Sequence, residues 1–97
     1  MAIQLTPNEK KLIKQILAQY LQKTPWRIFG SRAKGSAKRY SDLDIALLTE
    51  KPISLALLSA LEEAFADSDL SFKIDLVDWQ RLTPEFQKKI QSEWLKI

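Results

Sequence analysis

The stretch WRIFGSRAKGSAKRYSDLDIALL, residues 26–48, contains the segments that decide the fold. Residues 26–29 predict a short strand, and Thr24-Pro25 ends the segment that precedes it. Residues 42–48 have the apolar density of a buried strand. The polar and basic segment 31–41 is too irregular for a strand, so we expect a single helical turn followed by a loop.

Two helices are predicted to begin with the same Thr-Pro signal. Residues 6–9 (TPNE) supply an N-cap, a proline at the first helical position and a capping-box glutamate, and apolar residues continue at helical spacing to about Gln22. Residues 83–85 (TPE) repeat this start, and we expect the last helix to reach the C-terminus. The apolar stripe of the last helix consists of Phe86, Ile90 and Trp94.

Between these helices the sequence predicts one more helix and one more strand. Pro52 and Ser54 start a helix with an apolar face that ends in the acidic turn 67–69, and residues 72–77 form the third strand. The order is therefore α-β-turn-β-α-β-α. Three short strands cannot bury themselves, so we expect the long helices to cover one face of the sheet in a two-layer α/β sandwich.

Length and composition limit the chemistry. The chain has 97 residues, enough for one hydrophobic core, so residues 1–97 are expected to form a single domain. The absence of Cys and His excludes disulfides, thiol nucleophiles, Ser-His-Asp triads and the usual zinc sites. Metal chemistry with oxygen ligands remains. So small a domain has little room for an acceptor pocket, which indicates a partner.

Hydropathy and charge indicate where the protein works and what it binds. No apolar stretch approaches the roughly 20 residues that cross a bilayer, and the N-terminus lacks the apolar core of a signal peptide, so we expect a cytoplasmic protein. Residues 1–41 carry nine Lys or Arg and one acid, whereas residues 42–97 carry six and eleven. A basic element would thus face an acidic one, as a phosphate-plus-metal site requires.

Both glycines of the chain follow the first predicted strand. Glycine lets the backbone approach a phosphate closely and adopt a positive φ, so Gly30-Ser31 before a short helix offers amide and hydroxyl donors to a triphosphate. A Gly-Ser pair alone is more often a plain turn. A P-loop is excluded, because its lysine would have to follow Gly35, where Ser36 stands.

Asp42 and Asp44 bracket Leu43 at strand spacing. Both carboxylates therefore project to the same face, with their Cα atoms about 6–7 Å apart, while Leu43 enters the core. Two carboxylates at that separation can converge on a divalent ion and its triphosphate. Taken alone, such a pair is more often a solvated strand end.

Asp75 interrupts the apolar third strand between Ile74 and Leu76. It is either an ordinary residue of an exposed face or a third metal ligand beside the first two. Asp78 is the rival for this role, but strand alternation places it on the opposite face from Asp75. Two divalent ions held by three carboxylates would clamp an in-line phosphoryl displacement.

Phe29-Gly30-Ser31, ten residues, and then Asp42-Leu43-Asp44-Ile45 resemble the signature of the DNA polymerase β-like nucleotidyltransferase superfamily. The form Gly-Ser-Arg-Ala-x-Gly followed by Ser-Asp-Leu-Asp is most similar to its smallest branch, the minimal nucleotidyltransferases (MNT) of bacteria and archaea. The resemblance covers essentially the whole chain. It implies an α+β nucleotidyltransferase fold, in which helices cover a small three-stranded mixed sheet.

The resemblance also implies roles for single residues. Gly30 and Ser31 correspond to the residues that bind the triphosphate of the nucleotide. Asp42, Asp44 and Asp75 correspond to catalytic carboxylates that hold two Mg²⁺ ions. The motif is intact, so the resemblance implies an active enzyme.

Arg32 and Ser41 also match the usual pattern of the branch, which implies secondary contacts to the nucleotide. The cations Lys34, Lys38 and Arg39 are expected to be surface charges, with a phosphate or acceptor role left open. None of the three has a position that the motif assigns.

Members of this branch are commonly encoded beside a small helical HEPN protein, and some such pairs are toxin–antitoxin systems. The resemblance therefore implies ATP as the donor, a HEPN-type partner and a protein hydroxyl, that of a tyrosine, as the acceptor. Two other hypotheses stay open. One is a non-catalytic module that neutralises its partner by occlusion. The other is transfer to RNA or a small molecule, which the basic stretch 32–39 favours and the lack of an RNA-binding appendage disfavours.

Overall fold

The structure is a computed structural model that describes residues 5–38 and 41–97. Within these residues no helix is long and apolar enough to span a bilayer. The helices and strands follow the predicted order, with a 3₁₀ turn (Trp79–Arg81) added after the last strand. In chain order they are α1 (Pro7–Tyr20), β1 (Trp26–Phe29), α2 (Ser31–Lys34), β2 (Leu43–Leu47), α3 (Leu55–Ala66), β3 (Ile74–Asp78) and α4 (Pro84–Gln91).

The helix starts form as their sequence signals predict. The Thr6 hydroxyl accepts from the Glu9 N–H at 3.1 Å, and the Glu9 carboxylate accepts from the Thr6 N–H at 2.8 Å, which completes a capping box. The Thr83 hydroxyl accepts from the Phe86 N–H at 3.3 Å at the start of α4. Ser54 caps α3 in the same way through the Leu57 N–H.

The prediction that the last helix reaches the C-terminus is wrong. Helix α4 ends at Gln91, and Leu95 then pairs with Ile28 on β1. The Ile28 N–H donates to the Leu95 carbonyl at 2.9 Å, and the Leu95 N–H donates to the Ile28 carbonyl at 2.8 Å. These bonds cover the outer edge of β1, whose backbone groups would otherwise be unpaired. The chain forms them in place of the hydrogen bonds of a longer α4.

The sheet is mixed, as the family resemblance implies, and has the order β1-β2-β3. Strands β1 and β2 are antiparallel, and β2 and β3 are parallel. In this register Asp44 lies opposite Phe29 on one neighbouring strand and opposite Asp75 on the other. The two aspartates are therefore side by side on adjacent strands.

Helices cover both faces of the sheet, whereas the predicted two-layer sandwich has helices on one face only. Helices α1 and α3 cover one face, where they bury alternate strand residues such as Ile28 and Ile45. The other face carries a smaller cluster of Phe29 and Ala46 under Ile90 of α4. Strand alternation explains both clusters, since successive side chains point to opposite faces and both sets are apolar. The second face also carries Asp44 and Asp75.

Candidate active site

The candidate active site lies where the second face of the sheet meets the start of α2. Asp44 is partly buried on β2, and Asp75 is exposed on β3 directly beside it. Asp42 is exposed one residue before β2 begins. Leu43 between them is fully buried in the core, which fixes both carboxylates on the opposite side, as the sequence predicts.

Glycine is required at position 30 for two separate reasons. Gly30 has φ +80°, a conformation that L side chains rarely adopt. A Cβ built at this position would also overlap Oδ2 of Asp44. The chain therefore brings bare backbone against a carboxylate at the residue before α2. A single methyl group would separate the two parts of the site.

Negative charges are concentrated at this site. Burial is the largest cause that raises the pKa of Asp44, to about 6, followed by the negative charges of Asp75 and Asp42. A hydrogen bond with the Asp75 carboxyl and the charge of Glu93 raise this pKa further. Anions held this close favour either a proton or a cation between them.

Asp78 has the opposite environment, although it lies on the same strand as Asp75. Its side chain is buried, and its carboxylate accepts from the Ile53 N–H at 2.7 Å and from Arg81 Nε at 3.1 Å. Burial opposes ionisation of Asp78, but these bonds and those from Thr49 and the Gln80 N–H outweigh it and lower the pKa. Asp78 therefore stabilises the loop after β2, and is no rival to Asp75.

Arg32 and Ser41 organise the loop that precedes β2. Arg32 is only 6% exposed, with its guanidinium 3.9 Å from the centroid of the Phe72 ring, and its Nε donates to the Ser41 carbonyl at 2.9 Å. The Ser41 hydroxyl accepts from the Lys38 N–H at 2.9 Å. These contacts hold the ends of the loop together. A direct contact of either residue with the nucleotide stays a prediction.

Lys34 is more than the surface charge that the sequence suggests. Its Nζ lies 2.6 Å from Oε2 of Glu93, a residue of the C-terminal segment. Sequence reasoning missed Glu93, since its proximity to Lys34 and Asp44 comes from the chain reversal after α4, which no local pattern signals. Lys38 is exposed, and Arg39 lies outside the described residues.

The donor set fits a hard divalent cation, because the three aspartates offer only carboxylate oxygens. Within residues 5–38 and 41–97, no three or more His, Cys, Asp or Glu side chains are already grouped in a metal-binding arrangement. Asp75 already contacts the Asp44 carboxyl, and Asp42 is exposed. Such a cation would offset the burial of the Asp44 carboxylate and the negative charges of Asp75 and Asp42, which together raise the pKa of Asp44.

Comparison with known proteins agrees with this geometry. Residues 10–96 match the family described as Polymerase beta, Nucleotidyltransferase. The chain belongs to this family. A Haemophilus influenzae protein named probable protein adenylyltransferase MntA is 37% identical over 95 residues, which are 98% of this chain and 83% of that protein. The chain is therefore a nucleotidyltransferase.

Solved structures of toxin–antitoxin pairs share the fold of this nucleotidyltransferase. A toxin–antitoxin crystal structure with AMP-PNP aligns with a TM-score of 0.76 and 25% identity, over 89% of this chain and 69% of that one. A mutant MntA–HpeT toxin–antitoxin structure aligns with a TM-score of 0.74 and 25% identity, over 97% and 72%. Both support the mixed sheet and the helix order described above.

Proposed function

We propose that this nucleotidyltransferase is a protein adenylyltransferase that uses Mg²⁺ to transfer AMP from ATP to a tyrosine hydroxyl of a small helical HEPN-type toxin. The observation that carries the proposal is that Asp44 and Asp75 lie side by side on parallel strands, with Asp44 against Gly30. The Haemophilus influenzae relative named for this activity supports the reaction. The toxin–antitoxin structures support the kind of partner.

The start of α2 would bind the triphosphate. Gly30 has no side chain to cap the helix or to keep a phosphate away. The Ser31 N–H belongs to the first turn, where amide groups and the helix dipole favour an anion. Arg32 and Ser41 would support this turn from behind through the hydrogen bond between them.

Asp42, Asp44 and Asp75 would hold Mg²⁺, because carboxylate oxygens are ligands that this ion prefers. When bound, the ions supply neutralisation of the triphosphate charge and activation of the acceptor hydroxyl. Asp44 would bind in its ionised form, so that metal affinity falls as the pH drops below its pKa of about 6. 

The transfer is a substitution at the α-phosphorus of ATP. The acceptor oxygen forms a bond to this phosphorus, and the bond from the phosphorus to the oxygen bridging to the β-phosphate breaks. Pyrophosphate leaves with that electron pair. Asp75, which is exposed beside Asp44, accepts the hydroxyl proton. The products are the AMP-modified hydroxyl and pyrophosphate.

The acceptor would come from outside the chain. The carboxylates lie at the N-terminal ends of β2 and β3, where Asp42 and Asp75 are exposed. Phe86 of α4, 43% exposed, packs edge-to-face on Phe29, which lies beside Asp44. A partner protein that contacts the Phe86 ring would therefore be able to present a hydroxyl to the carboxylates at the same time. This arrangement suits a protein substrate better than a small molecule that needs a closed pocket.

Label transfer tests the proposal directly. The protein is incubated with Mg²⁺, ATP labelled at the α-phosphate and the product of the neighbouring gene, and we expect label on that product. The double variant Asp42→Ala, Asp44→Ala should transfer none. The matched control is Asp67→Ala, Asp69→Ala, a second Asp-x-Asp pair in the exposed turn after α3, which should transfer normally. Equal transfer by both double variants would rule out catalysis by Asp42 and Asp44.

Occlusion of the partner is the second candidate function, and the exposed Phe86 beside the site favours it. Under this hypothesis the double variant Asp42→Ala, Asp44→Ala still protects cells from the partner, whereas Phe86→Ser does not. The adenylyltransferase hypothesis expects the reverse for the aspartate variant. Salt-sensitive labelling of an RNA 3′-hydroxyl, in place of the protein, would instead support transfer to RNA.

A further inference from the structure

An ion pair joins two sides of the candidate site that are distant in sequence. Lys34 Nζ lies 2.6 Å from Oε2 of Glu93, and the side chain of Glu93 is 13% exposed, whereas that of Lys34 is 50% exposed. Lys34 is the last residue of α2, and Glu93 lies between α4 and the bridge at Leu95. The pair thus connects the helix that follows Gly30 to the C-terminal segment.

Glu93 is the fixed member of this pair. Its N–H donates to the Ile90 carbonyl at 3.0 Å, and two residues later Leu95 exchanges two backbone hydrogen bonds with Ile28. The main chain on both sides of Glu93 is therefore held by the rest of the fold. Half of the Lys34 side chain is exposed to water, so the fixed Glu93 carboxylate restrains the Lys34 ammonium group.

Helix α2 needs such contacts, since a helix of four residues is not stable by itself. On one side, Arg32 packs over the Phe72 ring and donates to the Ser41 carbonyl. Residues two positions apart on a helix point away from each other, so Lys34 reaches a different side, where Glu93 binds it. The two cations thus hold α2 from two directions.

We propose that Lys34 and Glu93 are a positioning pair that holds the last residue of the four-residue helix α2, and thereby keeps Gly30 and Ser31 at its start against Asp44. Its catalytic consequence rests on the proposed function, whereas its structural consequence does not. When Gly30 and Ser31 are held in place, the triphosphate keeps its position relative to the carboxylates, which lowers the KM for ATP. Neither Lys34 nor Glu93 touches the reacting atoms. The Lys34 ammonium also offsets the Glu93 charge that reaches Asp44.

Amide hydrogen exchange of the free protein tests the pair without any substrate. The Ser36 N–H donates to the Ser31 carbonyl at 2.9 Å and reports on α2. We expect Lys34→Met and Glu93→Gln each to accelerate exchange at Ser36 about 3- to 10-fold, and the double variant to match the single ones. The control Lys11→Met, on the exposed face of α1, should change nothing. Wild-type exchange in both single variants, or multiplied effects in the double variant, would overturn the proposal.

Steady-state kinetics separate positioning from catalysis. We expect Lys34→Met and Glu93→Gln each to raise the KM for ATP about 3- to 10-fold with kcat within about twofold, and the swap Lys34→Glu, Glu93→Lys to recover part of the KM. A fall in kcat of about 100-fold in Glu93→Gln, with or without Lys34→Met, would show that Glu93 acts on the reacting atoms and that the positioning role is wrong. If the wild type transfers nothing while the exchange result holds, the proposed function fails and the positioning pair stands.

Discussion

The two ends of β3 surround a carboxylate in opposite ways. At one end, Asp75 lies beside Asp44, and burial together with neighbouring negative charges raises the pKa of Asp44 to about 6. At the other end, Asp78 is buried but accepts hydrogen bonds from four residues, and its pKa is lowered. The first, incomplete end groups negative charges together, whereas at the second, completed end the protein itself supplies donors to the carboxylate.

This contrast separates function from stability within one short strand. Hydrogen-bond donors surround the carboxylate that stabilises the fold, whereas the carboxylates that we propose to bind a cation lie beside one another. Gly30 belongs to the incomplete end, because its missing side chain leaves room for Asp44. Substitutions at the two ends should therefore change different properties.

The largest effect is expected on activity at the incomplete end. Asp44→Asn should lower the rate of nucleotidyl transfer at least about 10³-fold, or about 4 kcal/mol, since under the proposed function it removes a carboxylate that would hold the metal. A filter assay with ATP labelled at the α-phosphate measures this rate. Circular dichroism serves as the control for folding. A folded Asp44→Asn protein that transfers within tenfold of the wild type would contradict the role of Asp44.

The next effect is expected on stability at the completed end. Asp78→Ala should cost about 3 kcal/mol in the free energy of unfolding, because the buried Ile53 N–H loses its acceptor and Arg81 Nε loses its carboxylate partner. Urea denaturation measures the change. The matched variant Asp75→Ala removes an exposed aspartate from the same strand and should change the free energy by less than about 0.5 kcal/mol. Equal losses in the two variants would remove the distinction between the ends.

Gly30→Ala tests the close contact between the backbone of residue 30 and Asp44. Alanine at position 30 would adopt a disfavoured φ, and its methyl group would overlap Asp44. We therefore expect a loss of about 2 kcal/mol in stability and about 100-fold in activity. The control is Gly35→Ala, which has a similar φ of +78° but lies at the far end of α2. It should cost about 1 kcal/mol and leave most of the activity. Similar activity losses in the two variants would point to backbone strain alone.

The smallest effect is a pH dependence of stability without metal. The pKa of Asp44 is about 6 in the folded protein and 3.8 in the unfolded chain. Protonation of Asp44 therefore stabilises the fold fully below pH 3.8, and this stabilisation is lost as the pH rises through 6. We expect the free energy of unfolding to fall by about 1 kcal/mol between pH 5 and pH 7.5, after allowing for solvent screening. Urea denaturation of Asp44→Asn should show no such fall, and a persistent slope would assign it to another group.

The lowered pKa of Asp78 acts in a separate pH range. Its contribution is present above the unfolded value of 3.8 and is lost as the pH drops through the lower folded pKa. The Asp44 and Asp78 contributions therefore do not overlap between pH 5 and pH 7.5. 

The local signals of the sequence predict most of the fold. The strand at 26–29 is confirmed with its bounds, and the Thr-Pro signals place the starts of α1 and α4. Strand alternation around Leu43 correctly separates the core side from the carboxylate side. These features depend on neighbours a few residues away, which the sequence displays directly.

The features that the sequence does not predict all depend on distant contacts. Leu95 leaves the helix pattern because it covers the edge of β1, and Glu93 reaches the site only through that reversal. The burial of Arg32 depends on the Phe72 ring, which lies after α3. A polar or charged residue shows no local sign of such a partner.

Thermal unfolding of the wild type and Asp44→Asn at pH 7.5, with and without Mg²⁺ and a non-hydrolysable ATP analogue, tests the central claim most directly. Without ligand, Asp44→Asn should melt about 4–8 °C higher than the wild type, because it removes a partly buried negative charge that lies beside those of Asp75 and Asp42. With ligand, the wild type should gain several degrees and the variant almost none. A variant that melts lower than the wild type and gains as much from the ligand would contradict the account.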